Sequence, residues 1–170
     1  MPAPRVRWLA LGAGALLVQI ALIHGLARLP GGVGLLPVLL PLAHLILLPF
    51  LLRNFSFWGM RLILVGLLLN LTVMLANGGL MPVEAATVEA VRGTERQDLR
   101  IGEHIPGTKN VLVASGDVRL RQLSDVLVPP LPRPLTRAVS AGDLFVIAGA
   151  ALAFGEVVSR RASSRGVPNA

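Results

Sequence analysis

The sequence predicts an all-α membrane fold: four transmembrane helices and an extracytoplasmic loop of roughly 66 residues, holding a short helix and a possible β-hairpin. Three observations predict it. Residues 7–77 contain three almost wholly apolar runs of about twenty residues, the length that crosses roughly 30 Å of hydrocarbon. The chain is 54% hydrophobic and 15% charged, against about 25% charged in a soluble domain, which is too little polar material to wrap three such helices. Finally, the basic residues are distributed one-sidedly.

The first span runs from Arg7 to Leu29. Arg5 and Arg7 ahead of an apolar stretch, then Gly25-Leu26-Ala27, resemble a secretory signal. The length of the run and its interruption by Gln19 and His24 favour retention as a span. The second span, Val33 to Leu52, carries Pro37, Pro41 and Pro49, which free the carbonyls of Val33, Pro37 and Leu45 and kink the helix. Phe57 to Asn77 forms the third, completing a three-helix unit over 7–77.

Residues 78–140 form the loop, or cap. Met81-Pro82 and the following VEAATVEAVR predict a short helix with Pro at its start and Arg92 at its end. Asn110–Ala114, a turn at Ser115-Gly116-Asp117 and Val118–Arg121 predict a small hairpin. A lone hairpin is marginal in water, and Leu120, Leu123, Val126 and Leu127 supply an apolar underside. Pro129, Pro130, Pro132 and Pro134 impose an extended return. Ser140, with Asp143 three residues later, is an N-cap signal that starts the fourth span at Ala141 and carries it to residue 159, leaving a tail over 160–170.

Charge sets the topology. Net charge is +7 and the isoelectric point about 11.7, values that raise the question of nucleic acid. Arg5, Arg7, Arg53, Arg61, Arg160, Arg161 and Arg165, opposed by Glu156, gather on one face, whereas 78–143 holds eight basic and eight acidic residues. That pattern obeys the positive-inside rule and places both termini in the cytoplasm. Trp8 and Trp58 begin spans on the same face, where indole rings favour the interface. Arg61, one turn inside the third span, snorkels back to that surface. No nucleic-acid partner is expected; the lipid bilayer is.

Polar residues inside spans mark bundle interiors. Gln19, His44 and Asn70 fall in the middle third of the bilayer and could share one network, read either as interhelical hydrogen bonds or as a proton or solute path. Gly149 with Ala153, Ala151 with Gly155, and Ala10 with Gly14 form small-xxx-small pairs that make the first and last spans candidate neighbours. Glu156 and Arg160 stand four apart in the favourable order for a helix pair.

Catalytic signatures are lacking. The chain has no cysteine, and His24, His44 and His104 have no partners at metal-ligand spacing. Neither a serine-hydrolase nor a phosphate-loop pattern occurs. No cofactor and no enzyme activity are expected.

Asn77-Gly78-Gly79-Leu80-Met81-Pro82-Val83, then Leu123-Ser124-Asp125, then Ser140-Ala141-Gly142-Asp143 resemble an uncharacterised bacterial family of small membrane proteins, a domain of unknown function. The resemblance covers most of the chain. It implies a membrane location and a bundle with a long outer loop, and it imports no activity. Asn77, Gly78 and Gly79 read as a helix cap, with an anion-binding nest as the alternative. Met81 and Pro82 restart the chain along the surface. Asp143 reads as a dipole partner in a first turn, with a catalytic acid as the alternative. Two functions remain: a non-catalytic accessory protein whose cap meets a membrane or extracytoplasmic protein, and a small transporter or permeation subunit working through Gln19, His44 and Asn70.

Overall fold

The computed structural model describes residues 6–92, 99–132 and 136–165. Arg5, the Glu95, Arg96 and Asp98 part of the polar loop, Arg133, Pro134 and the tail from 166 lie outside them.

Among the described residues, four helices are long and apolar enough to cross a membrane: α1 (Leu9–His24), α2 (Leu36–Arg53), α3 (Trp58–Ala76) and α5 (Ala141–Arg165). Short 3₁₀ turns, Leu26–Arg28 and Gly32–Leu35, extend α1 and lead into α2. The cap contributes strand β1 (Met81–Glu84), helix α4 (Ala85–Arg92) and strand β2 (Asn110–Val113). Along the bundle α1 packs on α2, α2 on α3, and α3 most extensively on α5. Outward faces stay apolar: Leu17 is 65% exposed and Phe154 73%, a surface that suits lipid and not water.

Two apolar clusters fill the interior. One joins Ala15, Leu47, Leu51, Phe57, Met60, Leu67 and Ala153. The other, at the cap end, joins Leu36, Leu40, Val73, Met74, Leu80 and Met81, so that the start of β1 plugs the top of the α2–α3 pair.

Glycine sets the α3–α5 distance. A Cβ on Gly59 would run into the Ala153 backbone, one on Gly66 into the Gly142 carbonyl, and one on Gly149 would come within 2.7 Å of the Gly59 carbonyl. The glycines repeat every seven residues on both helices, giving one continuous close seam. Gly149 and Ala153 therefore serve α3, and the expected pairing of first with last span is corrected: α1 rests on α2, where Gly12 meets the Phe50 ring, while Gly14 and Gly155 face open space.

At the end opposite the cap, Glu156 of α5 accepts hydrogen bonds from Trp58 N (3.1 Å) and Gly59 N (2.9 Å), capping α3 from another helix. Arg160 lies 3.6 Å from the same carboxylate. Arg61 reaches back to donate to the Phe55 carbonyl and stacks over the Phe55 and Trp58 rings.

The third span ends in a Schellman turn. Gly79 N donates to Met74 O at 2.7 Å, and Gly78 takes φ +82°. Gly79 lies so close to the Pro37 carbonyl that a Cβ would overlap it. Pro41 has no N–H to offer that carbonyl, so the proline in α2 makes room for the glycine beyond α3.

Two expectations for the cap are corrected. Met81–Glu84 is a strand and the helix begins only at Ala85, because Met81 N donates to Lys109 O and β1 pairs in parallel with β2, Met81 opposite Asn110 and Glu84 opposite Val113. Pro82 is tolerated because, among the described residues, the sheet has two strands and β1 lies at its edge. The predicted hairpin is replaced as well. The turn at Ser115 and Gly116 forms, but Leu120 takes the left-handed conformation and Arg121–Leu123 coils into a 3₁₀ turn, so no strand returns. β2 instead bonds the segment before it, with Leu112 N donating to Glu103 O and Ile105 N to Asn110 O. Of the expected apolar underside, Leu123 packs on the cap-end cluster, while Leu120 and Leu127 stay exposed.

Candidate functional site

The polar residues converge where the cap meets the helices. α3 carries Asn70 to within two turns of its end, and the first turn of α5 brings Ser140 and Asp143 opposite it. Ser140 and Asp143 form a capping box: Asp143 N donates to Ser140 Oγ (2.9 Å) and Ser140 N to Asp143 Oδ2 (3.2 Å). Ser140 Oγ donates to Asn70 Oδ1 (2.7 Å), and Asn70 Nδ2 donates to Asp143 Oδ1 (2.7 Å). Gly142 allows this approach, since a Cβ there would overlap Asn70 Oδ1.

From the cap, Lys109 donates to both oxygens of Asp143 at 2.9 Å and stands 3.7 Å from Asp125 Oδ1. Asn110, the first residue of β2, donates to Asp125 Oδ2 at 2.8 Å. Asp125 Oδ1 is buried without a hydrogen-bond partner. Burial pushes the Asp125 carboxyl above the usual aspartate range, against the pull of the Lys109 ammonium and despite the hydrogen bond from Asn110. The result is a chain Asn110–Asp125–Lys109–Asp143–Asn70–Ser140, fastening β2 to α3 and α5.

Two further ties flank it. Asn77 donates through Nδ2 to the carbonyls of Val73 (2.8 Å) and Arg119 (2.9 Å) and accepts from Arg119 N (2.9 Å), joining the end of α3 to the cap loop. Arg121 grips the buried Glu84 in a bidentate pair at 2.8 and 3.1 Å. That guanidinium holds the Glu84 carboxyl below the usual glutamate range.

Among the described residues no hydrogen bond links Gln19, His44 and Asn70 to one another. Asn70 is committed to the cap junction. His44 Nδ1 donates to Leu40 O within its own helix at 2.8 Å, and Gln19 Nε2 is buried without a partner. Among the described residues no three His, Cys, Asp or Glu side chains cluster as a metal site. Sequence reading passed over Lys109. Its signal was composition: it is the only lysine beside fifteen arginines, and a compact ammonium with three donors can address two carboxylates at once.

Fold and site together define a class: a bundle whose four main helices are long and apolar enough to cross a membrane, closed at one end by a cap held through an internal ion-pair network. Residues 5–154 match the model of a family of unknown function, DUF5317, and the chain belongs to that family. No curated protein and no solved structure matches it.

Proposed function

We propose that this is a non-catalytic accessory protein of a bacterial inner membrane, with both termini cytoplasmic and an extracytoplasmic cap that engages a protein partner in or beside the membrane. The observation that carries the reading is the fastening of the cap. Lys109, Asp125 and Asp143 engage one another, which supports a fastening role for these three residues over a catalytic one. The same contacts fix the cap on the helices, and a preformed surface loses less entropy on binding than a mobile loop. Exposed apolar side chains of the cap include Ile101, 71% exposed, Leu127 and Leu131. Arg7, Arg53, Arg61 and Arg160 lie at the end away from the cap, in keeping with a cytoplasmic face there.

Capture of the full chain from mild detergent, with charged substitutions at Ile101 and Leu127, tests the proposal. A stoichiometric companion lost on either substitution supports it; a chain that purifies alone, or a companion indifferent to both, overturns it. The unpaired Gln19 Nε2 favours a second reading, a small transporter or permeation subunit. Gln19→Leu and His44→Leu separate the two: folded variants that lose solute flux support transport. Asn70→Leu is unsuited to this comparison, because it breaks the cap junction.

A further inference from the structure

A cavity of about 630 Å³ opens at the cap end between α1, α5 and the cap, within the roughly 300–1,000 Å³ range of small-molecule sites. Ile20 and Ile23 of α1 wall one side, Val146 and Ile147 of α5 the other, and Val88 and Val91 of α4 contribute from the cap. α1 and α5 form no extended contact, and Ile20 and Ile147 are 54% and 61% exposed while lining the space. The cavity is therefore open sideways, at the depth of the leaflet on the cap side. Its polar end is lined by Lys109 and Arg137 together with the carboxylates of Asp125 and Asp143. Both carboxylates are turned to Lys109. Arg137 lines the same end, is exposed, and takes part in none of the ion pairs among the described residues, so its guanidinium is open to an entering anionic head.

We propose that this cavity binds a single-chain anionic lipid taken from the cap-side leaflet, its chain lying between α1 and α5 and its carboxylate or phosphate head beside Arg137. An apolar slot open to the hydrocarbon admits a chain without exposing it to water. A guanidinium at headgroup level recognises carboxylate or phosphate in a geometry that a neutral head does not satisfy. Two sources share this chemistry, a free fatty acid and an anionic lysophospholipid. The site is separate from the proposed partner surface, and neither depends on the other.

The test uses the full chain in phosphatidylcholine nanodiscs with a diazirine-bearing palmitate as probe, and mass spectrometry to locate the cross-links. The proposal expects labelling concentrated on Ile20–His24 and Val146–Ile147. Unlabelled palmitate or lysophosphatidylglycerol should remove it, whereas hexadecanol and lysophosphatidylcholine should not; the stronger of the first two identifies the source. Arg137→Glu should weaken specific labelling by roughly fivefold or more, the order expected for one partly exposed charge contact. Ile147→Trp fills the slot from the helix side and Val88→Trp from the cap side. Either variant, folded, should abolish the specific label. Labelling spread evenly over lipid-facing positions such as Leu16, Leu17 and Leu152, or unchanged by both tryptophans, overturns the site. Equal competition by hexadecanol or lysophosphatidylcholine overturns the anionic assignment.

Discussion

Lys109 holds Asp143 with two bonds of 2.9 Å and Asp125 at 3.7 Å, and removing one partner of such a group leaves the others desolvated and unpaired. Lys109→Met and Asp143→Asn should therefore each loosen the cap, and the double variant should cost less than their sum. A coupling of about 1.5–3 kcal/mol, the range for hydrogen bonds to charged groups, is expected in a thermal-unfolding cycle in detergent. Additivity would mean that the bridge contributes nothing. Acid acts on the cap through two carboxyls of opposite sign. The Glu84 pKa is depressed, first by its hydrogen bonds from Arg121. Its contribution is complete above the ordinary glutamate range and is lost as pH falls through the lower folded value. The advantage of the natural chain over Glu84→Gln should thus shrink on acidification. The Asp125 pKa is raised by burial. Ionisation there opposes folding as pH climbs from the ordinary aspartate range to the higher folded value, so Asp125→Asn should gain on the natural chain over that interval. Melting curves of the three proteins across acidic pH read both slopes.

Among the elements, the long helices were the legible part, because an apolar run of span length has few alternatives in a chain with so little charge. Their neighbours were not. A small-xxx-small pair states that a helix approaches something closely and leaves the partner unnamed; Gly149 and Ala153 turned out to face Gly59. The decisive glycines on α3, Gly59 and Gly66, sit seven apart and escape a search at four-residue spacing. Gly59→Leu should force α3 from α5 and lower stability by about 1–3 kcal/mol, the usual cost of overpacking. Gly155→Leu should stay within about 0.5 kcal/mol, as a surface change does, because nothing lies within 4 Å of its position. The cap was misread for a related reason. A parallel pair such as β1 and β2 is joined by a long connection and leaves no turn signature, so Asn110–Val113 looked local and was assigned to the wrong neighbour. Of the site, Asn70 is legible as a polar residue inside a span, Ser140 and Asp143 as a helix-capping pair, and Asp125 only through the family motif. Lys109, which joins the two carboxylates, is not legible, since contacts distant in sequence show no spacing to read.

For the whole molecule, helix number and charge constrain orientation together. Three spans precede the cap and one follows it, so the cap must lie across the membrane from both termini if all four helices span. The arginine asymmetry supports the proposed cytoplasmic placement of the terminal face. Because the chain has no cysteine, single cysteines can report this without background. Ser115, exposed at the tip of the cap, and Ala162, exposed beyond the fourth span, are suitable sites. On intact cells a membrane-impermeant maleimide should label Ser115→Cys at once and Ala162→Cys only after permeabilisation. The reverse would place the cap in the cytoplasm, removing the partner and the leaflet proposed for it. Labelling of both positions from outside would mean that α5 does not cross, and Asp143 would then no longer mark the depth at which the cap is anchored. A two-sided result of the expected kind ties the network at Lys109, whose six polar side chains join the cap to α3 and α5, to the outer surface.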